Sequence, residues 1–138
     1  MTTADQEIRI KALDRHDLAE LPESGHLMTV LVELPPGSAG NPPHRHSGPV
    51  YGYVLEGEML FELEGDAPRV LRAGDTFWEP GGDRIHYRDA NNLPDRWSRF
   101  LVLMACRAGE PMLTFVDAAE LEARRDRRHP AHLRSTNT

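Results

Sequence analysis

The sequence is poor in cysteine and contains no long apolar run. Among its 138 residues there is one cysteine, Cys106, so no disulfide bond can form within the chain. The opening stretch, MTTADQEIRI, lacks the apolar segment of a secretion signal, and a single thiol gives no sign of an oxidising compartment. We therefore expect a protein of the reducing cytoplasm.

The longest apolar stretch, LMTVLVEL, is far shorter than the roughly 20 residues that a membrane-spanning helix requires. Basic residues are also in the minority, since 16 Lys and Arg stand against 22 Asp and Glu, which gives a formal net charge of -6. A nucleic-acid-binding surface needs clustered basic residues that displace counterions from phosphates. These features argue against a membrane or nucleic-acid partner, so we expect a small-molecule substrate or ligand.

Short runs of strand-forming residues fill the middle of the chain. Between Leu27 and Cys106 they are separated by turns rich in Gly, Pro, Asn and Asp at intervals of about 8 to 12 residues, a spacing typical of an all-β sandwich or barrel. We predict an N-terminal extension with a short helix or strand over 1–26, a β-barrel over 27–116, and a C-terminal helix with a frayed tail over 117–138. Asp117 and Glu120 resemble a capping box that opens this helix. The helix mixes arginines with acidic residues, which predicts a solvated face.

Two histidines stand one residue apart in the stretch PPHRHSGPVYGYVLEG, just before a run that predicts a β-strand. In a strand, His44 and His46 point to the same face with Cα atoms about 6.5 to 7 Å apart, so both imidazoles can reach one metal ion. His86 is the other histidine within the β region and is the candidate for a third ligand. The alternative is a pair of surface histidines in a proline-flanked loop.

The segments GSAGNPPHRHSGPVYGYVLEG and GDTFWEPGGDRIH resemble the two motifs of the cupin superfamily. The residues that fall on motif positions are Gly37, His44, His46 and Gly57 in the first segment and Gly74, Pro80 and Gly82 in the second. The resemblance implies an all-β fold, a cupin-type jelly-roll β-barrel with the site inside. Cupins are commonly dimers, so the resemblance also implies a homodimer.

The first departure from these motifs is a missing carboxylate. Val50 stands where the family has a glutamate, and strand alternation from the histidine pair directs Val50 inward. Glu79 is the candidate replacement, because a hairpin that turns after Gly82 would make Glu79 and His86 cross-strand partners on one face. It would be a fourth ligand, an orienting partner of His86 or a general base. The alternatives are a charged residue at the barrel mouth, or Tyr51 as the ligand if a bulge inverts the strand.

The second departure is one extra residue between Gly82 and His86, so that Ile85 falls at the family's histidine position. An unabsorbed shift of one residue would turn the His86 side chain toward solvent. We expect the glycine-containing turn to absorb the insertion, which keeps His86 directed inward.

A centre of three neutral imidazoles leaves most of a metal's charge uncompensated, which favours anionic or chelating oxygen donors. Imidazole suits iron, zinc, nickel and copper, whereas manganese is less favoured without a carboxylate. Among cupins, three-histidine sites resemble those of thiol and diketone dioxygenases, which implies iron and a dioxygenase-like oxidoreductase. The alternatives are a non-redox isomerase or cyclase that works through an enolate, and a non-catalytic ligand-binding or sensor cupin.

Aromatic residues are expected to shape the substrate pocket. The candidates are Tyr51, Tyr53, Phe61 and Trp78, which predict an apolar cavity suited to a ring-bearing or hydrophobic substrate. Phe61 shares a strand face with Met59 and Leu63, a stripe that is also typical of core packing.

Overall fold

The structure is a computed structural model in which residues 8–9, 11–15 and 24–133 are described. These residues form nine strands: β1 (Gly25–Leu34), β2 (His44–Arg45), β3 (Val50–Glu56), β4 (Glu58–Leu63), β5 (Arg69–Arg72), β6 (Thr76–Glu79), β7 (His86–Asn91), β8 (Ser98–Arg107) and β9 (Thr114–Phe115). One short helix, α1 (Ala118–Ala123), and two 3-10 helices (Arg125–Arg127 and Pro130–Leu133) follow. Most of 1–26, where a short helix or strand is expected, lies outside the described residues.

The strands form two antiparallel sheets that face each other across an apolar core. The first sheet has the order β1-β8-β3-β6, and the second sheet has the order β5-β4-β7-β2-β9. This arrangement, with its short C-terminal helix, confirms the predicted all-β fold. Within the described residues no strand ladder joins the two sheets, so the predicted jelly roll takes the form of a two-sheet sandwich.

Alternation along the strands places one face of each sheet in the core. The buried residues of the two central strands include Val50, Gly52 and Val54 on β3 and Phe100, Val102 and Met104 on β8. Gly52 leaves room for a ring, since a Cβ at this position would lie 2.0 Å from the side chain of Phe77. The second sheet contributes Phe61, whose ring centroid is 5.2 Å from that of Phe77. The core therefore fills the space between the sheets next to the candidate site.

A β-bulge sets the direction of His86. The ladder between β4 and β7 pairs Glu62 with Arg88. Its next pair joins Leu63 to His86, which leaves Tyr87 as an extra residue on β7. The strand is thereby shifted by one position, so His86 points into the sandwich while Tyr87 packs on the outer face. His86 faces inward as expected, but the adjustment that the structure shows lies in the strand, one residue after His86.

The C-terminal segment packs on the outer face of the second sheet. Asp117 caps α1 as predicted, because its side chain accepts a hydrogen bond of 2.8 Å from the backbone N–H of Glu120. The prediction of a solvated arginine face is wrong for Arg124, which is 9% exposed and bonds to the carboxylate of Glu64. None of the helices in the described ranges has the length and apolar composition to cross a membrane.

Candidate metal centre

The three histidines predicted as metal ligands meet inside the sandwich. His44 on β2 lies directly opposite His86 on β7, and His46 stands just after the end of β2. Their exposed fractions are 2% for His44, 7% for His46 and 3% for His86. One ring nitrogen of each lies within 4.8 Å of the other two, which is close enough for the three to share one ion.

Backbone carbonyl groups fix the ring orientation of two of these histidines. Nδ1 of His44 donates to the carbonyl of Pro42 at 2.9 Å, and Nδ1 of His46 donates to the carbonyl of Met112 at 3.0 Å. A carbonyl oxygen only accepts, so the proton of each neutral ring lies on Nδ1. Nε2 of both rings is left with its lone pair available, which is the arrangement found around histidine ligands of metals.

Of the three histidines, His86 would be stabilised most by a bound cation. Both of its ring nitrogens are buried, and neither makes a hydrogen bond among the described residues. A buried polar nitrogen without a partner costs free energy, which a bond to a metal would offset. The ring is otherwise held by Phe61, whose ring centroid lies 4.9 Å away. The residues present therefore fit a divalent metal ion.

Glu79 brings a carboxylate to the histidines from the first sheet. It is 4% exposed, and its Oε1 lies 2.9 Å from Nδ1 of His86 and 3.6 Å from Nε2 of His46. The 2.9 Å contact is short but lacks the alignment of a hydrogen bond. The expectation that Glu79 and His86 are cross-strand partners is wrong, because Glu79 pairs with Val50 on β3. Directly opposed residues share a face, so the carboxylate enters the site beside the position of the missing motif glutamate.

The buried groups of the site shift one another's ionisation. Burial lowers the pKa of His44, and the neighbouring His86 lowers it further, so His44 is kept in the neutral form that binds metals. Burial alone would raise the pKa of Glu79, but the three histidines, His86 foremost, together outweigh burial and the pKa is lowered. For His86, burial lowers the pKa while Glu79 raises it, and the net change is upward. Glu79 is therefore ionised and can balance the charge of a cation.

A cavity of about 80 Å³ adjoins these four side chains. Its walls are mostly apolar and include Val30, Val32, Met59, Phe77, Phe100 and Met104. Asn41 and Asp89 also line it, and the Asp89 carboxylate accepts bonds of 2.7 Å from the Asn41 backbone N–H and 3.0 Å from its side-chain amide. The volume is far below the roughly 300 to 1,000 Å³ of pockets for drug-sized ligands, so the cavity suits a molecule of few atoms.

A family comparison agrees with this geometry. Residues 30–97 match the family model described as a cupin domain, and this range includes all three histidines and Glu79. The chain belongs to the cupin superfamily. No curated protein sequence matches this cupin.

Solved structures similar to this cupin include an oxalate oxidase in complex with the substrate analogue glycolate, with 30% identity, a TM-score of 0.55, and coverage of 65% of this chain and 46% of that chain. Another is the DMSP lyase DddQ from Ruegeria pomeroyi, with 30% identity, a TM-score of 0.56, and coverage of 67% of this chain and 44% of that chain. A cupin-2 domain from Rhodospirillum rubrum has 19% identity and a TM-score of 0.57, with coverage of 72% of this chain and 63% of that chain. At this identity it supports the fold alone. This cupin spans less than half the length of the first two proteins.

None of the four aromatic residues predicted to line the pocket of this cupin borders the cavity beside the histidines. Tyr51, Tyr53 and Trp78 lie on the outer face of the first sheet, where the ring centroids of Tyr51 and Trp78 are 5.9 Å apart. The alternation that directs Val50 inward directs its odd-numbered neighbours outward, so Tyr51 does not replace the missing glutamate. Phe61 does lie inside, where it packs against a histidine of the site and within the core.

The cavity walls of this cupin come mainly from residues other than the four aromatic candidates. Phe77 on β6 and Phe100 and Met104 on β8 line the cavity, and strand alternation is the signal that finds them. Asp89 and Met112 carry no such signal. Asp89 lies beyond the bulge of β7 and Met112 in the loop before β9, so their positions depend on the folded chain.

Proposed function

We propose that this cupin is a metal-dependent enzyme that acts on a small organic acid. The observation that carries the proposal is the convergence of three buried histidines and the buried carboxylate of Glu79 on one small, mostly apolar cavity. Structural metal sites are closed by protein ligands, whereas a catalytic metal needs an open position. The adjoining cavity supplies the space for that position.

The donor set favours a divalent transition metal. Three imidazole nitrogens suit iron, our first candidate, and also zinc, nickel and copper. The carboxylate of Glu79 makes manganese a better match than three imidazoles alone would. His44, His46 and His86 would hold the ion, with Glu79 as a fourth ligand or as a proton acceptor beside it. Such an ion supplies Lewis-acid chemistry when bound, and iron or manganese also supplies redox chemistry.

The cavity is the reason for proposing a small acid as the substrate, in place of a ring-bearing molecule. A volume of about 80 Å³ holds few non-hydrogen atoms, and its apolar walls offer little to a charged group. An anionic group of the substrate would therefore lie at the histidine end of the cavity. The similarity to an oxalate oxidase that holds glycolate supports this class, because oxalate and glycolate are both small carboxylates.

Oxidation of the substrate with dioxygen as the electron acceptor, in line with dioxygenase-like chemistry, is the first reaction that we propose. The apolar walls would exclude water from the reacting groups, and exclusion of water strengthens the electrostatic interactions among them. Glu79 would accept the proton that a hydroxyl group of the substrate gives up. The reaction would thus use the histidines for binding and Glu79 for proton transfer.

Glu79 also favours a second candidate, a non-redox proton transfer such as an isomerisation or cyclisation. A buried carboxylate that contacts an imidazole and borders an apolar cavity is placed to act as a general base. In that reaction Glu79 would take a proton from the carbon next to a carbonyl group and return it to another position of the same molecule.

Elemental analysis of the purified protein tests the metal site. We expect about one divalent ion per chain, and roughly tenfold less after His86→Ala, because the variant removes a ligand. His26→Ala serves as the matched control, since His26 is an exposed histidine on β1. Full metal content in the His86→Ala variant would contradict the proposed ligand set.

Oxygen uptake and exchange of hydrogen with solvent test the reaction. The metal-loaded protein is incubated with a panel of small hydroxy acids, keto acids and dicarboxylates. Uptake of dioxygen supports oxidation, whereas deuterium incorporation from D2O without uptake supports proton transfer. Saturable binding of an acid with neither signal would contradict the enzyme and indicate a ligand-binding or sensor cupin.

A further inference from the structure

Three residues that flank the histidines contact the C-terminal segment on the outer face of the second sheet. Neighbours of an inward-pointing residue in a strand point outward. Arg45 stands between the two histidines of the HRH stretch, and Ile85 and Tyr87 flank the histidine of β7. Residues 116–128, which we name the C-terminal brace, hold all three of these neighbours.

Arg45 ties β2 to helix α1. Its Nη1 donates to Oε1 of Glu120 at 3.1 Å, and its Nη2 donates to Oε2 of the same carboxylate. Its Nε donates to the carbonyl of Asp83 at 3.0 Å. Two parallel bonds between a guanidinium and a carboxylate fix the orientation of both groups as well as their separation. The backbone between two of the candidate ligands is therefore held from outside the sandwich.

Ile85 and Tyr87 tie β7 to the same segment. Ile85 is fully buried and forms a small apolar cluster with Tyr87. Val116 completes the cluster, and Leu121 of α1 packs against it. The guanidinium of Arg128 lies 4.3 Å from the centroid of the Tyr87 ring, a cation–π contact. The histidine between these two anchored residues has little freedom to turn its ring away from the cavity.

Arg124 holds the turn that precedes β7. Its guanidinium donates to both carboxylate oxygens of Glu64 and, through Nη1, to Oδ1 of Asp83 at 3.0 Å. Asp83 is also the residue whose carbonyl accepts from Arg45. Arg124 is 9% exposed, so loss of these partners would leave a charge in a poorly solvated position. The C-terminal brace therefore contacts the turn, β7 and β2.

We propose that the C-terminal brace positions the metal ligands, so that docking of α1 and metal binding stabilise each other. The inference rests on the proposed metal site. The brace acts through the outward-facing residues next to each histidine, and Glu120 is its positioning residue for β2. Binding linkage is reciprocal, so a docked brace that raises metal affinity is itself stabilised by the metal to the same extent.

The variant Glu120→Ala tests the brace, because it removes the carboxylate that pairs with Arg45 and that also accepts from Nη1 of Arg124 at 3.2 Å. Glu120 is partly exposed, so the fold should tolerate the change. We expect its metal affinity, measured by chelator competition, to fall about tenfold, as for other residues that orient metal ligands. Glu122→Ala is the matched control, since Glu122 lies in the same helix, is 71% exposed and pairs with Arg125 at 2.7 Å. The metal affinity of the control should stay within about twofold of that of the parent protein. Unchanged affinity in Glu120→Ala would overturn the inference.

Amide hydrogen exchange of the metal-free protein gives a readout that does not depend on metal. Glu120→Ala should speed exchange in β2 and β7 and leave β1 and β8 unchanged, because those two strands lie in the other sheet. Added metal should slow exchange at the α1 amides of the parent protein. If Glu120→Ala speeds exchange in α1 alone, the helix does not order the histidine strands, and the inference is overturned. If the parent binds no metal, the proposed function fails, and exchange in β2 and β7 still decides whether the brace orders the histidine strands.

Discussion

Val50 and Glu79 face each other across the ladder between β3 and β6, and this pairing shows how a site without the motif glutamate keeps a carboxylate. The Cβ atoms of directly opposed residues lie about 4.5 to 5.5 Å apart, so side chains at the two positions reach the same space. Val50 is fully buried and fills that space with apolar atoms. Glu79 supplies the charge, with Oε1 2.9 Å from Nδ1 of His86. At the residue scale, the two positions are therefore expected to be interchangeable.

Moving the carboxylate back to β3 tests this exchange. Glu79→Gln should lower metal affinity about tenfold, because it removes the charge and keeps the size of the side chain. Adding Val50→Glu to that variant should restore most of the loss. Glu56→Gln, at an exposed position on β3, is the control, and chelator competition measures all of these proteins. If Glu79→Gln keeps its full affinity, Glu79 is not a ligand.

At the scale of the elements, local sequence patterns predict the strands and the shared face of the histidine pair. They do not predict contacts between elements that are distant in the chain. The spacing of His44 and His46 and the alternation along β3 are properties of short segments, and both hold in the structure. The register that sets Glu79 opposite β3 depends on which strands pair. The burial of Arg124 likewise depends on Glu64, which is 60 positions away in the chain. Neither pairing leaves a periodic signal in the sequence.

The second sheet carries a buried ionic group that joins β4, β7 and the brace. Glu62 on β4 is fully buried and accepts a bond of 2.7 Å from Nε of Arg88 and bonds of 2.7 and 2.8 Å from Arg128. Burial alone would raise the pKa of Glu62, but the two guanidinium groups outweigh burial and hold this pKa below its usual value. The ionised carboxylate therefore stabilises the folded state.

Folding stability should depend on pH through Glu62. Its contribution is complete above the pKa of an unfolded glutamate, about 4.3, and is lost as the pH falls through the lower folded pKa. Glu62→Gln should cost about 3 kcal/mol at neutral pH, because two guanidinium groups lose the charge that they pair with, and should weaken the acid dependence. Urea unfolding between about pH 3 and 7 measures both effects. Glu110→Gln, at an exposed position, is the control, and an equally stable Glu62→Gln would refute the assignment.

At the scale of the whole molecule, the outer face of the first sheet carries an exposed apolar patch. Its leucines are Leu27, Leu31, Leu101 and Leu103, with exposed fractions of 78%, 45%, 37% and 49%. The register places Leu31 opposite Leu101, and Leu103 follows on the same face of β8. Contiguous apolar surface of this kind marks interaction sites. An antiparallel strand pair presents a similar surface from either direction, which suits a twofold contact with a second copy of the chain.

The homodimer implied by the cupin resemblance stays a prediction, with this patch as its interface. Leu103→Lys should convert the dimer to a monomer, because a charge would be buried at the contact. Leu133→Lys is the control, since Leu133 is 81% exposed in the last 3-10 helix. Light scattering after size-exclusion chromatography measures the mass, and a monomeric parent protein would contradict the prediction.

The donors of the site come from two sheets that share no hydrogen-bonded ladder in the described residues. Glu79 belongs to the first sheet, whereas His44 and His86 belong to the second. An ion held by all of them would cross-link the two layers, so loading at about 100 times the dissociation constant should raise the melting temperature by roughly 10 °C. At the same metal concentration, calorimetry should show about half of this gain lost in Glu79→Gln, because its affinity is expected to be about tenfold lower, and an equal gain would contradict the cross-link. Proteolysis depends on the population of the unfolded form, which a bound metal ion would reduce. The metal-free protein should therefore be degraded faster than the metal-loaded protein.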